Sequence, residues 1–545
     1  MPADVPGTDE ERPILQLWPT PSGLFYRIDG PGAEVLDVDL DGRRVFSFRA
    51  APAGDVPDDV PAELRYSGHG PGDLRFEPWP PALRPRLQGT FRVQLRVSGA
   101  EDGPEATVSL DGGRGPLELV DHYGRPLVVN KWGRLGQAFA DAAPGMVDRM
   151  LDHMTAIREL LESELGPVVY VTCGTLLGPV REGRLLPHDD DADLAYLSRH
   201  EHPADVALES FAVGRLLSAA GYEVVRLSVG HLQVVFSHEG RPDHYVDVFP
   251  GFVLGEHWLQ HFMVRTPARR EDLLPPSTVE VAGRQEPAPR DQELVLRAVY
   301  GEGWRTPDPA FAFRVPESTG ERFYGWFADY NVEREQWDDL VLLAPPGEFG
   351  HDREPSAFAR CVHERTPADS AVLELGSGVG TDALALASLG RTVRAYDFSR
   401  YAVAEARSRL AGADLPVTFE VQNLLDVRTV VRLGAELAAA PESWTVMGRR
   451  LLNAVEDRGR DNLFRLCWML LRPSGRAFFD LVADHGYAGI PPYRHLAVEQ
   501  VAAEAGRHRL VLEEVESRLE PLRWFGAAEE QIVPMYRLTF RRRPR

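Results

Sequence analysis

The chain of 545 residues has only three cysteines, Cys173, Cys361 and Cys467. They are too few and too far apart for a disulfide framework or a four-cysteine zinc site. A reducing compartment suits such a chain. Cys361 and Cys467 sit in apolar helical contexts and Cys173 ends a strand-like run, so all three read as packing. Lysine is scarcer still: Lys131 is the sole one, and every other cation is arginine. That is the coding habit of a GC-rich genome, so an arginine here is weak evidence of phosphate recognition. Cations as a class are in deficit, 60 against 82 acids for a formal charge of −22, which argues against coating DNA or RNA. Long apolar runs are missing too. Nothing approaches the roughly 20 residues of a membrane span, and MPADVPGTDEERP at the start has no signal-peptide core. The expected location is the cytoplasm, free or peripheral at the inner membrane face.

What is present is enough for several cores. The chain is 43% hydrophobic and 26% charged, and its length suggests three or four domains at about 150 residues each. Residues 1–130 read as a β-rich accessory module. ILQLWPT, GLFYRIDG, RRVFSFRA, GTFRVQLRVSG and ATVSLDGG are short strand-like runs bounded by turn residues, with no evident catalytic grouping. From residue 131 to 318 helices and strands alternate. Met146, Met150, Met154, Ile157, Leu160, Leu161 and Leu165 recur at helical spacing, which marks a core-facing stripe. A strand PVVYVTC, a Gly-Thr turn, a helix near 206–220 and strands near Val224, Val234 and Val246 follow. A second, cleaner alternation fills 319–545. The fold class expected is multidomain α/β.

The densest chemistry lies in GTLLGPVREGRLLPHDDDADLAYL. Asp189, Asp190, Asp191 and Asp193 fall within five positions, just ahead of an apolar stretch. If Asp191-Ala-Asp193-Leu enters a strand, Asp191 and Asp193 share one face. Two neighbouring carboxylates repel unless a cation lies between them, and a hard divalent ion such as Mg²⁺ or Mn²⁺ suits oxygen ligands. Asp247, in the apolar run HYVDVF, is a third carboxylate that is costly to bury alone. Gly174-Thr175, opening a helix, offers backbone N–H groups to a phosphate. Strand, Gly-Thr turn, paired Asp and a later Asp together suggest nucleotidyl or phosphoryl transfer. A solvated acidic loop is the plainer alternative.

This segment resembles the signature of the LicD/fukutin family of nucleotidyltransferase-fold phosphotransferases, and PRDQELVLRAVYGEGWRTP resembles that family's closing element, with Tyr300, Gly301, Trp304 and Pro307 in place. The resemblance covers roughly residues 130–315. It implies transfer of a phospho-alcohol from a CDP-alcohol donor to a sugar hydroxyl, with release of CMP. Asp191, Asp193 and Asp247 would hold the metal, with Asp189 as a further ligand. Gly174, Thr175 and Arg181 would face the nucleotide or its phosphates. His188 stands where the family usually has Trp.

The second signal is AVLELGSGVGTDALALASLGRTVRAYDFS. A short apolar strand runs into a turn of Gly376, Ser377, Gly378 and Gly380, and a second strand ends in Asp397. The glycines allow close approach of a cofactor, but Gly-x-Gly-x-Gly is not the dinucleotide spacing. The pattern resembles motif I of class I S-adenosylmethionine-dependent methyltransferases over about residues 320–545. By that resemblance Glu374 and Gly376 lie near the methionine portion, Asp397 binds the ribose, and Phe398 and Ser399 follow it in the same pocket. Asn423 and Leu424 would meet the adenine. Arg449 matches part of an Arg-Phe-x-x-His pattern in which Arg450 and Asn453 replace Phe and His. Glu354–Val362 resembles the lid before motif I. No Asn-Pro-Pro-Tyr motif is present, which favours O-methylation, and His485 is a candidate base, although a surface histidine is the simpler reading.

The two resemblances imply a bifunctional enzyme that acts on a cell-surface glycan or its lipid-linked precursor, transferring a phospho-alcohol and a methyl group. The alternatives are a methyltransferase with an inactive LicD-like binding domain, and a nucleotidyltransferase acting on a small molecule. Neither nucleic acid nor a membrane span belongs to any of these.

Overall fold

In the computed structural model the described residues are 15–28, 34–51, 74–110, 115–344, 354–482, 494–523 and 530–544, with 57, 64, 348 and 349. The chain is a multidomain α/β protein with a β-rich N-terminal region. It divides into two compact units, one made of Met1–Glu209 with Val246–Phe323 and the other of Ser210–Tyr245 with Tyr324–Arg545.

The first unit begins with two antiparallel sheets. One pairs Leu15–Pro19, Gly23–Ile28 and Leu74–Pro78; the other orders Arg43–Arg49, Val35–Leu40, Gly89–Val97 and Glu105–Leu110. The five strand-like runs seen in the sequence are all strands. Val35–Leu40 and Leu74–Pro78 were not foreseen. VLDVDL hides its character because Asp37 and Asp39 are buried, neutralised by Arg96 at 3.2 and 2.8 Å.

Further on, helix α1 (Met146–Leu165) buries Met146, Met150, Leu151, Met154, Ile157 and Leu161, so the methionine stripe is indeed a core face. Strand β1 (Val169–Val171), helix α2 (Cys173–Glu182), strand β2 (Ala192–Leu197) and strand β3 (Arg241–Leu254) follow. β1 is antiparallel to β2, and β2 is parallel to β3. β2 is buried at every position, as expected of a strand covered on both sides. The expected strand PVVYVTC is shorter than it reads. Thr172 caps α2, and Gly174 and Thr175 lie inside that helix rather than in a turn before it. Helix α3 (Gln292–Tyr300) closes this part, N-capped by Asp291.

The second unit centres on a seven-stranded sheet. Its strands are β4 (Ser370–Leu375), β5 (Val393–Asp397), β6 (Val417–Val421), β7 (Ser443–Gly448), β8 (Arg476–Val482), β9 (Leu510–Arg523) and β10 (Glu530–Arg542). The order is β6-β5-β4-β7-β8-β10-β9. The first five are parallel, and β10 runs antiparallel to both β8 and β9. Alternate residues of β4 feed two cores: Ala371, Leu373 and Leu375 pack with Val446 and Phe479, while Val372 packs with Met447 and Phe478. The strand order reverses between β4 and β7, and a doubly wound sheet binds ligands outside the carboxyl ends of its strands at that point.

Candidate active sites

The acidic site is set by strand register. Asp193 in β2 lies opposite Asp247 in the parallel β3, so both carboxylates leave the same face of the sheet, and Asp191, two residues upstream, joins them. One carboxylate oxygen from each of Asp191, Asp193 and Asp247 lies within 4.8 Å of the others, and all three residues are buried. Asp189, Asp190 and Asp191 make a second group of the same dimension.

The Gly-Thr pair explains how the acids are held. A Cβ at Gly174 would come within 1.9 Å of Asp189 Oδ2, so glycine is required for that carboxylate to fit. The Gly174 N–H donates to Asp193 Oδ2 at 3.0 Å, and the Asp193 N–H donates to Thr175 Oγ1 at 2.8 Å. Cys173, just before, holds a left-handed backbone with φ of 44°. Local strain of this kind persists where the surroundings impose it. Gly174 and Thr175 are thus engaged with the acids themselves. Arg181 is in the last turn of α2, where it pairs with Glu182 at 2.7 Å and donates to the Trp304 carbonyl at 3.4 Å. It ties the first motif to the closing one.

Electrostatics sets the character of this pocket. Burial, with the neighbouring carboxylates adding and Lys131 opposing, pushes Asp191 well above the ordinary carboxylate range. Burial likewise raises Asp193 to about 8, with Asp189 and Asp247 adding to it against Lys131. Asp191 Oδ1 is buried and accepts no hydrogen bond. A divalent oxygen-seeking ion fits this donor set, because it would satisfy that oxygen and remove the repulsion. Burial lowers the pKa of His188, with Asp189 opposing and Arg44 and Lys131 adding.

One participant escaped the sequence reading. The Lys131 ammonium lies 2.8 Å from Asp189 Oδ1 and 3.9 Å from Asp191 Oδ1. The signal that could have found it is its solitude: one lysine among 60 cations.

The glycine-loop site lies at the carboxyl ends of β4, β5 and β7. Gly376, Gly378 and Gly380 take φ of 68°, 53° and 76°, a left-handed series that side chains resist. Asp397 ends β5 and fixes the loop, its two oxygens accepting from the Gly378 N–H at 2.8 Å and the Ser399 N–H at 2.9 Å. Glu374 Oε2 and Ser377 Oγ are buried without hydrogen-bond partners. Burial, with Asp382 and Asp397 adding, pushes Glu374 well above the usual carboxylate range. These orphaned polar atoms beside a bare glycine loop fit a cofactor that brings donors of its own.

The remaining expected residues sit around this loop. Arg449 pairs with Asp382 at 2.8 Å, and Asp382 in turn accepts from the Ser356 N–H and hydroxyl at 3.0 Å. The segment before motif I is thereby tied to the helix after it. Asn423 donates to the Tyr330 carbonyl at 2.6 Å and accepts from the Leu425 N–H at 2.9 Å. Leu424 is buried in the core. Phe398 lies under the Arg334 guanidinium, 5.6 Å from its ring centre; this arginine was not foreseen. Asn453, at the position of the relatives' histidine, joins Val482 and Arg494 through their backbone groups, at 2.9 Å and 2.8 Å. His485 lies outside the described residues.

Two family models match parts of the chain. The model of the LicD/FKTN/FKRP nucleotidyltransferase domain matches residues 168–291, and a methyltransferase-domain model matches residues 372–475. Both domains are present. The chain therefore fuses two transferase-type domains. No curated protein shows a significant match. Solved structures similar to the chain include the glycopeptide N-methyltransferase MtfA complexed with S-adenosylmethionine, at 18% identity over 36% of this chain and 91% of that one, with a TM-score of 0.27. The CcbJ methyltransferase from Streptomyces caelestis is 18% identical over 36% and 94%, with a TM-score of 0.28. A methyltransferase from Methanosarcina mazei is 13% identical over 34% and 98%, with a TM-score of 0.27. Among the described residues no helix is long and apolar enough to cross a membrane.

Proposed function

We propose that the chain modifies a glycan twice, transferring a phospho-alcohol from a CDP-activated donor and a methyl group from S-adenosylmethionine. The observation that carries the first half is the convergence of Asp191, Asp193 and Asp247, with one buried oxygen left unsatisfied. These three would hold Mg²⁺ or Mn²⁺, which supplies neutralisation of phosphate oxygens during in-line transfer. Gly174 and Thr175 hold the Asp193 carboxylate and backbone in register, and Asp189 borders the pocket. In the second half, Glu374 and Ser377 would receive the methionine end of the cofactor and Asp397 the ribose. Asn453 is engaged by backbone groups, so a proton released on O-methylation would have to leave by another residue.

A second reading has one observation behind it. Lys131 already neutralises Asp189, as it would in a binding domain that needs no ion. Incubation with Mg²⁺, a panel of CDP-alcohols, S-adenosylmethionine and glycan acceptors separates the readings by mass spectrometry. Release of both CMP and S-adenosylhomocysteine is expected. S-adenosylhomocysteine alone favours the binding-domain reading, and pyrophosphate from a nucleoside triphosphate would point to nucleotidylation instead.

A further inference from the structure

Lys131 stands out twice, in composition and in place. Of 60 cationic residues it alone is lysine, in a chain that uses arginine everywhere else. It lies outside residues 168–291, the span matched by the family model. The loop that carries it is rigid. Val128–Val129 and Leu135–Gly136 pair as a short hairpin, and between them the Asn130 side chain accepts from the N–H groups of Trp132 and Arg134 at 3.0 and 3.2 Å. Asn130 and Arg134 also close the turn through their backbones at 2.8 Å. The same region is pinned to the acidic loop, with the Phe139 N–H donating to the Asp189 carbonyl and the Ala140 N–H to that of Pro187, each at 2.8 Å. The backbone is held by these bonds, whereas the four-carbon stem has rotatable bonds of its own and the side chain keeps 22% of its surface exposed.

An ammonium on a flexible stem is a point charge that can change partners, whereas a guanidinium is a planar fork suited to one fixed carboxylate. Lysine at this one position fits a group that must move. A divalent ion among Asp191, Asp193 and Asp247 would compete with the ammonium for Asp191, now 3.9 Å away. A nucleotide diphosphate brought in by that ion would place negative charge within the reach of the stem. We propose that Lys131 is a positioning residue that neutralises Asp189 and Asp191 while no divalent ion is bound and turns to the donor's diphosphate once one is. This rests on the phosphotransferase reading above.

Full-length wild type, Lys131→Gln and Lys131→Arg should be titrated calorimetrically with Mn²⁺ at pH 8.5, then with CDP at saturating Mn²⁺. Removing the competing charge should tighten Mn²⁺ binding in Lys131→Gln by at least about fivefold, the effect of a unit charge about 4 Å away in bulk water and so the lower bound for a partly buried site. The same variant should bind CDP at least about tenfold more weakly, and Lys131→Arg should keep Mn²⁺ affinity within about twofold of wild type. A residue that merely supported the fold would weaken both ligands together. If wild type binds Mn²⁺ and CDP while Lys131→Gln binds Mn²⁺ no more tightly or CDP just as well, the role assigned to Lys131 is wrong. If wild type binds neither, the phosphotransferase reading itself fails and the role falls with it. Should Lys131→Gln not fold, a loss of CDP affinity of under twofold in Lys131→Arg would overturn the proposal, because a fork cannot follow the moving phosphate as the ammonium does.

Discussion

The acidic site and the glycine-loop site solve opposite problems. In the first, the Gly174 N–H is satisfied by the Asp193 carboxylate and the Thr175 hydroxyl oxygen by the Asp193 N–H, and what is left over is charge: three buried acids within 4.8 Å and one lysine. In the second, the charges are paired, Arg449 with Asp382, and what is left over is hydrogen-bonding capacity at Glu374 Oε2 and Ser377 Oγ. A pocket with surplus like charge calls for a cation, and one with orphaned polar atoms calls for a molecule. The two halves of one chain therefore advertise their ligands in different physical terms.

The contrast can be broken from either side. Asp191→Ala should cut CDP-alcohol turnover by at least about a hundredfold, the scale of losing one electrostatic stabiliser, while S-adenosylmethionine binding measured by calorimetry stays unchanged. Full turnover in that variant would show that Asp191 takes no part in the transfer. Glu374→Gln alters the buried carboxyl proposed to receive the cofactor's methionine end and should weaken S-adenosylmethionine roughly ten- to a hundredfold, as for a hydrogen bond to a charged group, with Mn²⁺ binding untouched. Gly174→Ala places a methyl group where the Asp189 carboxylate sits. It should cost about 1–3 kcal/mol in denaturant unfolding and weaken Mn²⁺ binding, whereas Gly303→Ala, with open space at its Cβ, should do neither.

A pH trend tests the same contrast without a mutation. Asp193 is raised from 3.8 to about 8 in the folded protein. The unfolded chain therefore releases this proton first, and the stability linked to it, full below about pH 4, is lost as pH rises through about 8. Chelator-treated protein should show falling thermal stability across that window. Added Mn²⁺ should restore more of it at pH 8 than at pH 6, and a flat difference would remove the charge surplus from the account.

Much of this was legible in the sequence, for reasons that differ by element. The methionine stripe of α1 and the apolar run of β4 carry their burial in their periodicity. The pairing of Asp193 with Asp247 was approachable because Asp193 leads into one strand-like apolar run and Asp247 lies between valines in another. VLDVDL was missed because buried aspartates look like surface ones until their arginine is known. The contacts of Gly174 and Thr175 with the acids were illegible, since a Gly-Thr pair reads as a phosphate turn and nothing local says that a carboxylate from the next loop fills the space. Arg334 over Phe398 and Asn453 between two backbone segments are tertiary facts, which spacing cannot encode.

The central claim is that Asp191 and Asp193 form one cation site with Asp247, which is distant in sequence. Calorimetric titration of Mn²⁺ into wild type and Asp247→Asn tests it most directly, since Asp247 lies more than fifty residues from the other two. One saturable ion per wild-type chain, lost or weakened by at least about tenfold in a folded Asp247→Asn protein, is the predicted result. Equal binding by the two proteins, or none by wild type, would contradict it.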